Sequence, residues 1–311
     1  MKAAQINEYG NASVVNINEI DKPAIADDQV LVEVHASSLN PFDTMVREGY
    51  LKEMIPLQFP VTLGGDIAGI IVEVGTDVSN ISVGDKVFGQ ANVVAGNSGA
   101  FAEFAATSIN QVAKMPSNLD FKQAASLVLV GVSAWQAIVD HIKLRSGQKI
   151  FIHGGAGGIG TVAIQIAKNI GAYVATTATG DGIDYVKKLG ADEVIDYKSA
   201  NFPEKLHDLD AVFDTVGGED FDDSLDILKP GGIAVSMIAQ PNESKAAGLN
   251  VQALSQSTKV TTDALNELRS LIENNVVTPH IDKVFSLTHI QEAFKTRENG
   301  NVRGKIVITI Q

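Results

Sequence analysis

The chain has 311 residues, a length that predicts two domains with cores of their own. It contains no cysteine, which excludes disulfides, thiolate metal sites, iron–sulfur clusters and a cysteine nucleophile. The formal net charge of −13 opposes binding to nucleic acid and to anionic membranes, so we expect neither as a partner. No apolar run is long enough to cross a membrane, and no basic segment with an apolar run opens the sequence, so we expect a cytoplasmic protein.

The first part of the chain, to about residue 120, is predicted to be all-β with turns. It contains apolar, β-branched runs bounded by glycine, at residues 30–34, 67–74, 84–89 and from 101 onward. After Pro279 the pattern becomes strand-like again and ends on the apolar run 305–310. We expect this tail to return to the first domain, which would make that domain discontinuous.

The pattern changes near residue 120, where residues 121–142 favour a helix. Beyond it, short apolar strands alternate with helices about every 20 residues, the spacing of βαβ units in a parallel sheet. The predicted strands lie at residues 149–153, 173–177, 193–195, 210–214 and 233–237. We therefore predict a β-rich domain at 1–120 and 280–311 and a parallel-sheet domain at 121–279.

A glycine-rich turn follows the first of these parallel strands, and its sequence reads His-Gly-Gly-Ala-Gly-Gly-Ile-Gly over residues 153–160. Gly154, Gly157 and Gly160 follow one another at intervals of three residues, and an amphipathic helix follows them. Glycine allows a sharp turn and close approach of phosphate, while the helix N-terminus offers free N–H groups to a pyrophosphate. An ordinary βα turn is the alternative, but the density of glycine in this context favours a dinucleotide site.

Short-chain dehydrogenases also use such a turn, but they place it near the N-terminus and need a Tyr-x-x-x-Lys pair. Here about 150 residues precede the turn, and none of the five tyrosines has a lysine four positions on. That interpretation fails.

The chain resembles the medium-chain dehydrogenase/reductase superfamily, and within it the zinc-free quinone oxidoreductase branch. The resemblance covers nearly the whole chain. Besides the mid-chain glycine turn and the tail, it rests on Ser-Leu-Asn-Pro-Phe-Asp at 38–43, Leu-Gly-Gly-Asp-Ile-Ala-Gly at 63–69, Val-Gly-Asp-Lys-Val at 83–87, and Leu-Gly-Ala-Asp-Glu-Val-Ile-Asp-Tyr at 189–197. It implies an α/β protein with a GroES-like β-rich catalytic domain and a Rossmann doubly wound cofactor domain, and an active site in the cleft between the two.

The resemblance also implies the absence of zinc. The positions at which zinc alcohol dehydrogenases of this superfamily hold their catalytic metal are Asn40, Gly65 and Val130 here, and none is a plausible ligand. The six histidines are scattered along the chain. We therefore predict no metal site.

Further site residues follow from the same resemblance. Asn40 is expected beside the nicotinamide as a catalytic residue and cofactor contact, and Asp43 and Tyr50 are candidate proton donors. Asp43 and Asp66 also have a structural interpretation, as turn-forming residues. The predicted cofactor contacts, besides Asn40, are Ser133, Gly154, Gly157, Gly158, Ile159, Gly160, Thr177, Thr179, Asp181, Tyr197, Val216, Gly217, Arg303 and Lys305.

The resemblance to this family implies NADPH as the cofactor. NADH is the alternative, because no base follows the second parallel strand and Asp181 stands where an acidic residue would bind the ribose 2′-hydroxyl of NADH. We predict a zinc-independent reductase that transfers hydride to quinones or α,β-unsaturated carbonyls, working as a homodimer on a small electrophilic substrate. The alternatives are an enoyl-thioester or 2-alkenal reductase, and a dinucleotide-binding redox sensor or structural protein with little turnover.

Overall fold

The structure, a computed structural model, describes residues 1–300 and 302–311. The chain forms two compact units. The first comprises Met1–Leu129, Val260–Glu273 and Pro279–Gln311, and the second comprises Val130–Lys259 and Asn274–Thr278.

The strands are β1 Lys2–Ile6, β2 Asn16–Glu19, β3 Gln29–Leu39, β4 Val61–Thr62, β5 Asp66–Val74, β6 Lys86–Gln90, β7 Phe104–Ser108, β8 Val112–Lys114, β9 Lys149–His153, β10 Tyr173–Ala178, β11 Glu193–Asp196, β12 Leu209–Asp214, β13 Leu228–Ser236, β14 Gln252–Ser255, β15 Ile281–Ser286 and β16 Lys305–Thr309. The α-helices are α1 Pro41–Glu48, α2 Phe121–Trp135, α3 Gly158–Ile170, α4 Asp181–Lys188, α5 Glu219–Leu225, α6 Glu243–Leu249, α7 Thr262–Glu273 and α8 Ile290–Glu298.

The first unit is built on mostly antiparallel sheets. A small sheet has the order β2-β1-β4, and a larger one has the order β15-β16-β3-β5-β6-β8, with β7 also paired to β3. The C-terminal strand β16 pairs with β3 through Ile306 opposite Leu39, so the end of the chain completes the sheet that the first strands begin. This is the β-rich domain expected from the sequence.

Two helices interrupt the regions that were predicted to be all-β, and that part of the prediction is wrong. Helix α1 starts at Pro41, whose fixed φ suits a first helical position, and the Asp43 carboxylate accepts a hydrogen bond from the Asn40 N–H. Helix α8 lies in the C-terminal segment and buries Phe294 in the core of the first unit. Both helices are short, with eight and nine residues, so each gives few positions from which to recognise a helical period.

Helix α7 belongs to the first unit, whereas the predicted boundary placed it in the parallel-sheet domain. The Thr262 hydroxyl at its start hydrogen-bonds the carbonyls of Ile109 and Val112, at 2.9 and 2.8 Å. These contacts attach the helix to the end of β8. Residues 121–129 also fall in the first unit.

The second unit has a parallel sheet in the order β11-β10-β9-β12-β13-β14, the doubly wound arrangement predicted from the βα rhythm. The strand order reverses between β9 and β12, whose last residues, His153 and Asp214, lie opposite each other. In open sheets of this kind, ligands bind outside the carboxyl ends of the strands at such a reversal. The edge strand β14 and helix α6 were not predicted.

The helical segment Phe121–His141 joins α2 to a π-helical turn at Gln136–His141. By length and composition it could cross a membrane, with a mean hydropathy of 1.3, although the sequence suggested no such segment. About 67% of its most apolar window is buried inside the protein, as is usual for a core helix.

Candidate functional site

The glycine-rich turn lies at the switch point of the second unit, directly after β9. Gly154 has a φ of 85°, a left-handed conformation that favours glycine. Its N–H donates to Oγ1 of Thr177 at 2.9 Å, and the N–H of Gly155 donates to the Thr177 carbonyl at 3.1 Å. The turn is therefore attached to the end of β10, and Thr177, a predicted cofactor contact, holds it there.

The three spaced glycines have different surroundings. A Cβ atom on Gly160 would lie 2.3 Å from the carbonyl oxygen of Gly154, so this glycine is needed for close packing of α3 against the turn. A Cβ atom on Gly157 would meet only that same oxygen, at 3.3 Å. Gly157 therefore borders open space at the N-terminus of α3, where the first N–H groups, including those of Gly158 and Ile159, have no intrahelical partner. This arrangement fits a pyrophosphate.

The predicted adenosine-side residues lie at the carboxyl ends of the neighbouring strands. Thr179 follows β10, and Asp181 is the first residue of α4 and exposed. Tyr197 follows β11 and is 56% exposed, so its ring is accessible. Lys198, also exposed, comes next, whereas the segment after β10, residues 179–182, contains no basic residue.

The turn between β12 and α5 carries two further predicted contacts. Val216 is exposed, and Gly217 has a φ of 77°. Their N–H groups both donate to Oδ1 of Asp214 at 3.0 Å. Neither Asp214 nor its neighbour His153 was predicted as a site residue, because only the strand order brings the two together across 61 positions.

Ser133 is buried within the second unit, with its hydroxyl 2.8 Å from that of Thr258. Its carbonyl accepts a hydrogen bond from the Gln256 side chain at 3.0 Å. The predicted contact of Ser133 with the cofactor stays a prediction.

In the first unit, the Asn40 side chain is held on both sides. Its Oδ1 accepts a hydrogen bond from Nζ of Lys305, and its Nδ2 donates to Oδ2 of Asp66 at 2.8 Å. The second Nδ2 hydrogen faces the Ser38 carbonyl at 3.5 Å. Because the amide donors are engaged, Asn40 has little capacity left to donate to a substrate oxygen. An oxyanion contact would require this network to rearrange.

Asp43, Asp66 and Lys305 form a buried charge cluster around Asn40. Burial raises the pKa of Asp43 to about 7, and Asp66 adds to this rise while the Asn40 N–H and Lys305 oppose it. Burial also raises the pKa of Asp66, against the opposing effects of Lys305, Asn40 and Ser38. Burial lowers the pKa of Lys305, although both carboxylates favour its charged form. The cluster holds two carboxyl groups but one ammonium.

Of the remaining predicted residues of the first unit, Tyr50 and Arg303 are not part of this cluster, and Lys305 belongs to it. Tyr50 follows α1 and is 70% exposed, so its hydroxyl is accessible to solvent. Arg303 lies near His280: burial lowers the pKa of that imidazole, and Arg303 lowers it further while Asp282 opposes. Lys305 was predicted to contact the cofactor, but its ammonium is bound to Asn40 and to the Leu39 carbonyl, at 3.1 Å from the latter.

The positions that match the zinc ligands of related dehydrogenases do not fit a metal. The Asn40 oxygen is bound to Lys305, Gly65 has no side chain, and Val130 is apolar. An ammonium beside Asn40 would also repel a cation. No step of the chemistry is therefore assigned to zinc.

Comparisons with known proteins place these features in a family. Residues 26–117 match the family described as alcohol dehydrogenase GroES-like domain, and residues 189–308 match the family described as zinc-binding dehydrogenase. The chain is 33% identical to NADPH-dependent alkenal/one oxidoreductase, chloroplastic, from Arabidopsis thaliana, over 99% of this chain and 79% of that protein.

Solved structures are similar to this chain over its full length. The quinone oxidoreductase from Coxiella burnetii has a TM-score of 0.92 and 33% identity, covering 100% of this chain and 99% of its own. The Escherichia coli quinone oxidoreductase complexed with NADPH has a TM-score of 0.90 and 26% identity, covering 100% of both chains. The chain described here belongs to the medium-chain dehydrogenase/reductase superfamily, in its quinone oxidoreductase branch.

Proposed function

We propose that this protein is an NAD(P)H-dependent, zinc-independent reductase that transfers hydride to quinones or α,β-unsaturated carbonyls. The observation that carries the proposal is the glycine-rich turn at the switch point between β9 and β12, with open space beside Gly157 and the N-terminus of α3. The names of the relatives, a quinone oxidoreductase and an alkenal/one oxidoreductase, support the substrate class.

NADPH is the proposed cofactor, and NADH is the alternative. The Arabidopsis relative is named NADPH-dependent and the Escherichia coli structure contains NADPH. In this chain the end of β10 pairs with β11 as far as Ala178 opposite Asp196, and Lys198 lies two residues beyond. A 2′-phosphate bound after β10 would have Lys198 as a basic partner, while Asp181 at the start of α4 favours a free ribose hydroxyl.

The residues at the positions of the zinc ligands, Asn40, Gly65 and Val130, support this substrate class. The reduced nicotinamide supplies the hydride. Quinones and enones accept it without a Lewis acid, whereas a saturated ketone or aldehyde benefits more from one. The candidate proton donors differ in access, because Asp43 is buried and Tyr50 is exposed. We assign the proton of the product to solvent.

A second candidate within the same chemistry is a 2-alkenal or enoyl-thioester reductase, and the name of the Arabidopsis relative favours the alkenal. The relatives reported above are named as oxidoreductases, so we do not propose the third possibility, a sensor or structural protein. A cytoplasmic location and a homodimer stay predictions, and light scattering after gel filtration would test the dimer.

A screen of quinones, enones, alkenals, enoyl thioesters, saturated aldehydes and alcohols, each with NADPH and with NADH, tests the function. We expect turnover with quinones or enones and little with saturated carbonyls or alcohols. Turnover confined to alkenals or enoyl thioesters would favour the second candidate. Oxidation of alcohols alone would contradict both.

A further inference from the structure

His153 occupies a position that the proposed function has not used. It is the last residue of β9, faces Asp214 at the end of β12, and is buried. Its Nδ1 lies 3.4 Å from Oδ1 of Asp214, and its Nε2 lies 3.8 Å from Oδ2 of Asp220 at the start of α5. The ring stacks on Phe151 with centroids 5.6 Å apart, which limits its rotation. One side chain thus spans both ends of the β12–α5 turn.

This turn needs such support because of its own sequence. Gly217 and Gly218 have φ values of 77° and 76°, and two consecutive glycines allow many other conformations. Asp214 restrains the turn by accepting the N–H groups of Val216 and Gly217, and it also accepts the Ser236 hydroxyl at 2.6 Å. His153, at the end of β9, contacts the same carboxylate from the opposite side of the turn.

The charge state of Asp214 agrees with this role. Burial alone would raise the pKa of Asp214, but the imidazole of His153, the Ser236 hydroxyl and the turn N–H groups together hold it below its ordinary value. The carboxylate is therefore charged at neutral pH and needs its donors. Loss of the imidazole would remove a polar neighbour, 3.4 Å away, from this buried carboxylate.

The two turns of the switch point also touch through the side chain of Thr215. The Thr215 hydroxyl donates to the His153 carbonyl at 2.8 Å. A Cβ atom on Gly154, the next residue, would lie 2.6 Å from the Thr215 oxygen. A shift of the β12–α5 turn would therefore be transmitted to the beginning of the glycine-rich turn.

We propose that His153 is a positioning residue for the dinucleotide: by bridging Asp214 and Asp220, its side chain holds the 215–218 turn in register with the glycine-rich turn. The inference rests on the proposed function, because it assumes that a dinucleotide binds at this switch point. The 215–218 turn should matter for the whole dinucleotide and much less for a fragment that contains the adenosine half alone.

The experiment compares binding of NADPH and of 2′,5′-ADP to the full chain, together with melting temperature. The variants are His153→Ala, which removes both contacts, and His153→Asn, whose amide can take the place of Nδ1 beside Asp214. His153→Gln places its amide nearer the former Nε2. His207→Ala is the control, because His207 is an exposed histidine of the same unit.

We expect His153→Ala to weaken NADPH binding about tenfold, with 2′,5′-ADP changed less than about twofold. His153→Asn should restore most of the NADPH affinity, and His207→Ala should match the wild type. If His153→Ala does not fold, the Asn and Gln variants carry the test, with Asn expected to bind NADPH more tightly than Gln.

Equal losses for both ligands, or no rescue by asparagine, would overturn the inference and leave the proposed function standing. A wild-type protein that binds 2′,5′-ADP and NADPH equally well would do the same. Failure of the wild type to bind either ligand would overturn the proposed function, and the inference with it.

Discussion

The ammonium of Lys305 faces the carboxylate of Asp66 across 3.8 Å inside the first unit, and the two residues are only 5% and 0% exposed. The pair links the two strands that flank β3, because Asp66 begins β5 and Lys305 begins β16. Asn40 lies between them and hydrogen-bonds to both. The surroundings of Asn40 thus consist of a buried ion pair that its amide joins.

We predict that breaking this pair is more harmful than removing it. Lys305→Met leaves Asp66 buried without its cation, so that the carboxyl must either stay charged without a partner or take up a proton, and we expect a loss of about 3 kcal/mol or more in the free energy of unfolding. The double variant Lys305→Met/Asp66→Asn should be clearly more stable than the sum of the single losses implies. Urea unfolding of the wild type, of Lys305→Met, of Asp66→Asn and of the double variant measures the coupling between the two groups. Strictly additive losses in the free energy of unfolding would show that the two groups do not interact.

The pH dependence of stability should report on Asp43. Its pKa is raised to about 7 in the folded protein, against an ordinary value of about 3.9. Between these values the folded state binds more protons than the unfolded chain, so this group lowers stability as pH rises from about 4 to about 7. Asp43→Asn keeps an acceptor for the Asn40 N–H and should therefore flatten that decline.

We expect the difference between wild type and Asp43→Asn to change by at least about 1.4 kcal/mol between pH 4.5 and 8, in favour of the variant at high pH. Unfolding free energies at the two pH values measure it, and Asp85→Asn provides a control, because the pKa of Asp85 is lowered and its carboxylate lies outside the cluster. Parallel curves for wild type and Asp43→Asn would show that Asp43 titrates normally.

The glycines of the turn should separate binding from folding. Gly157 has ordinary extended backbone angles, with φ −79° and ψ 172°, so Gly157→Val should fold while its side chain blocks the pyrophosphate and abolishes measurable NADPH binding. Gly160→Ala should instead lower the melting temperature, because its Cβ would collide with the Gly154 carbonyl. Cofactor titration by fluorescence and thermal melting by circular dichroism measure the two effects. Unchanged affinity in Gly157→Val would mean that phosphate binds elsewhere.

Cofactor preference should be modest and adjustable. We expect wild type to prefer NADPH over NADH by no more than about tenfold, or about 1.4 kcal/mol. Lys198→Ala should move the preference towards NADH and Asp181→Lys towards NADPH, whereas Lys205→Ala, an exposed lysine of the same unit, should leave it unchanged. Dissociation constants for both cofactors decide the matter. A thousandfold preference that survives Lys198→Ala would require another cation.

Local patterns in the sequence predicted the parallel-sheet unit well, because its strands are short apolar runs and its glycine-rich turn is a recognisable sequence between a strand and a helix. They predicted α1 poorly, since its first residues resemble a turn until the hydrogen bond from Asn40 N–H to Asp43 is seen. Strand β14 and helix α6 were also missed, and both are short.

The site shows the same division. The glycine-rich turn is contiguous and was found from the sequence. The surroundings of Asn40 depend on Lys305, 265 residues away, which reaches it only because β16 pairs with β3. The contact of His153 with Asp214 likewise depends on β9 and β12 being neighbours in the sheet. Partners that come together through strand order leave no local signal.

The most direct test of the account is NADPH oxidation by chelator-treated protein, shown by elemental analysis to be free of zinc, with a quinone or an enone as acceptor. Gly157→Val at the same concentration provides the background rate of the uncatalysed reaction. We predict that the zinc-free protein turns over at the rate of untreated protein and well above that background. A protein that is inactive with both acceptors until zinc is added would contradict the proposed zinc-independent reduction.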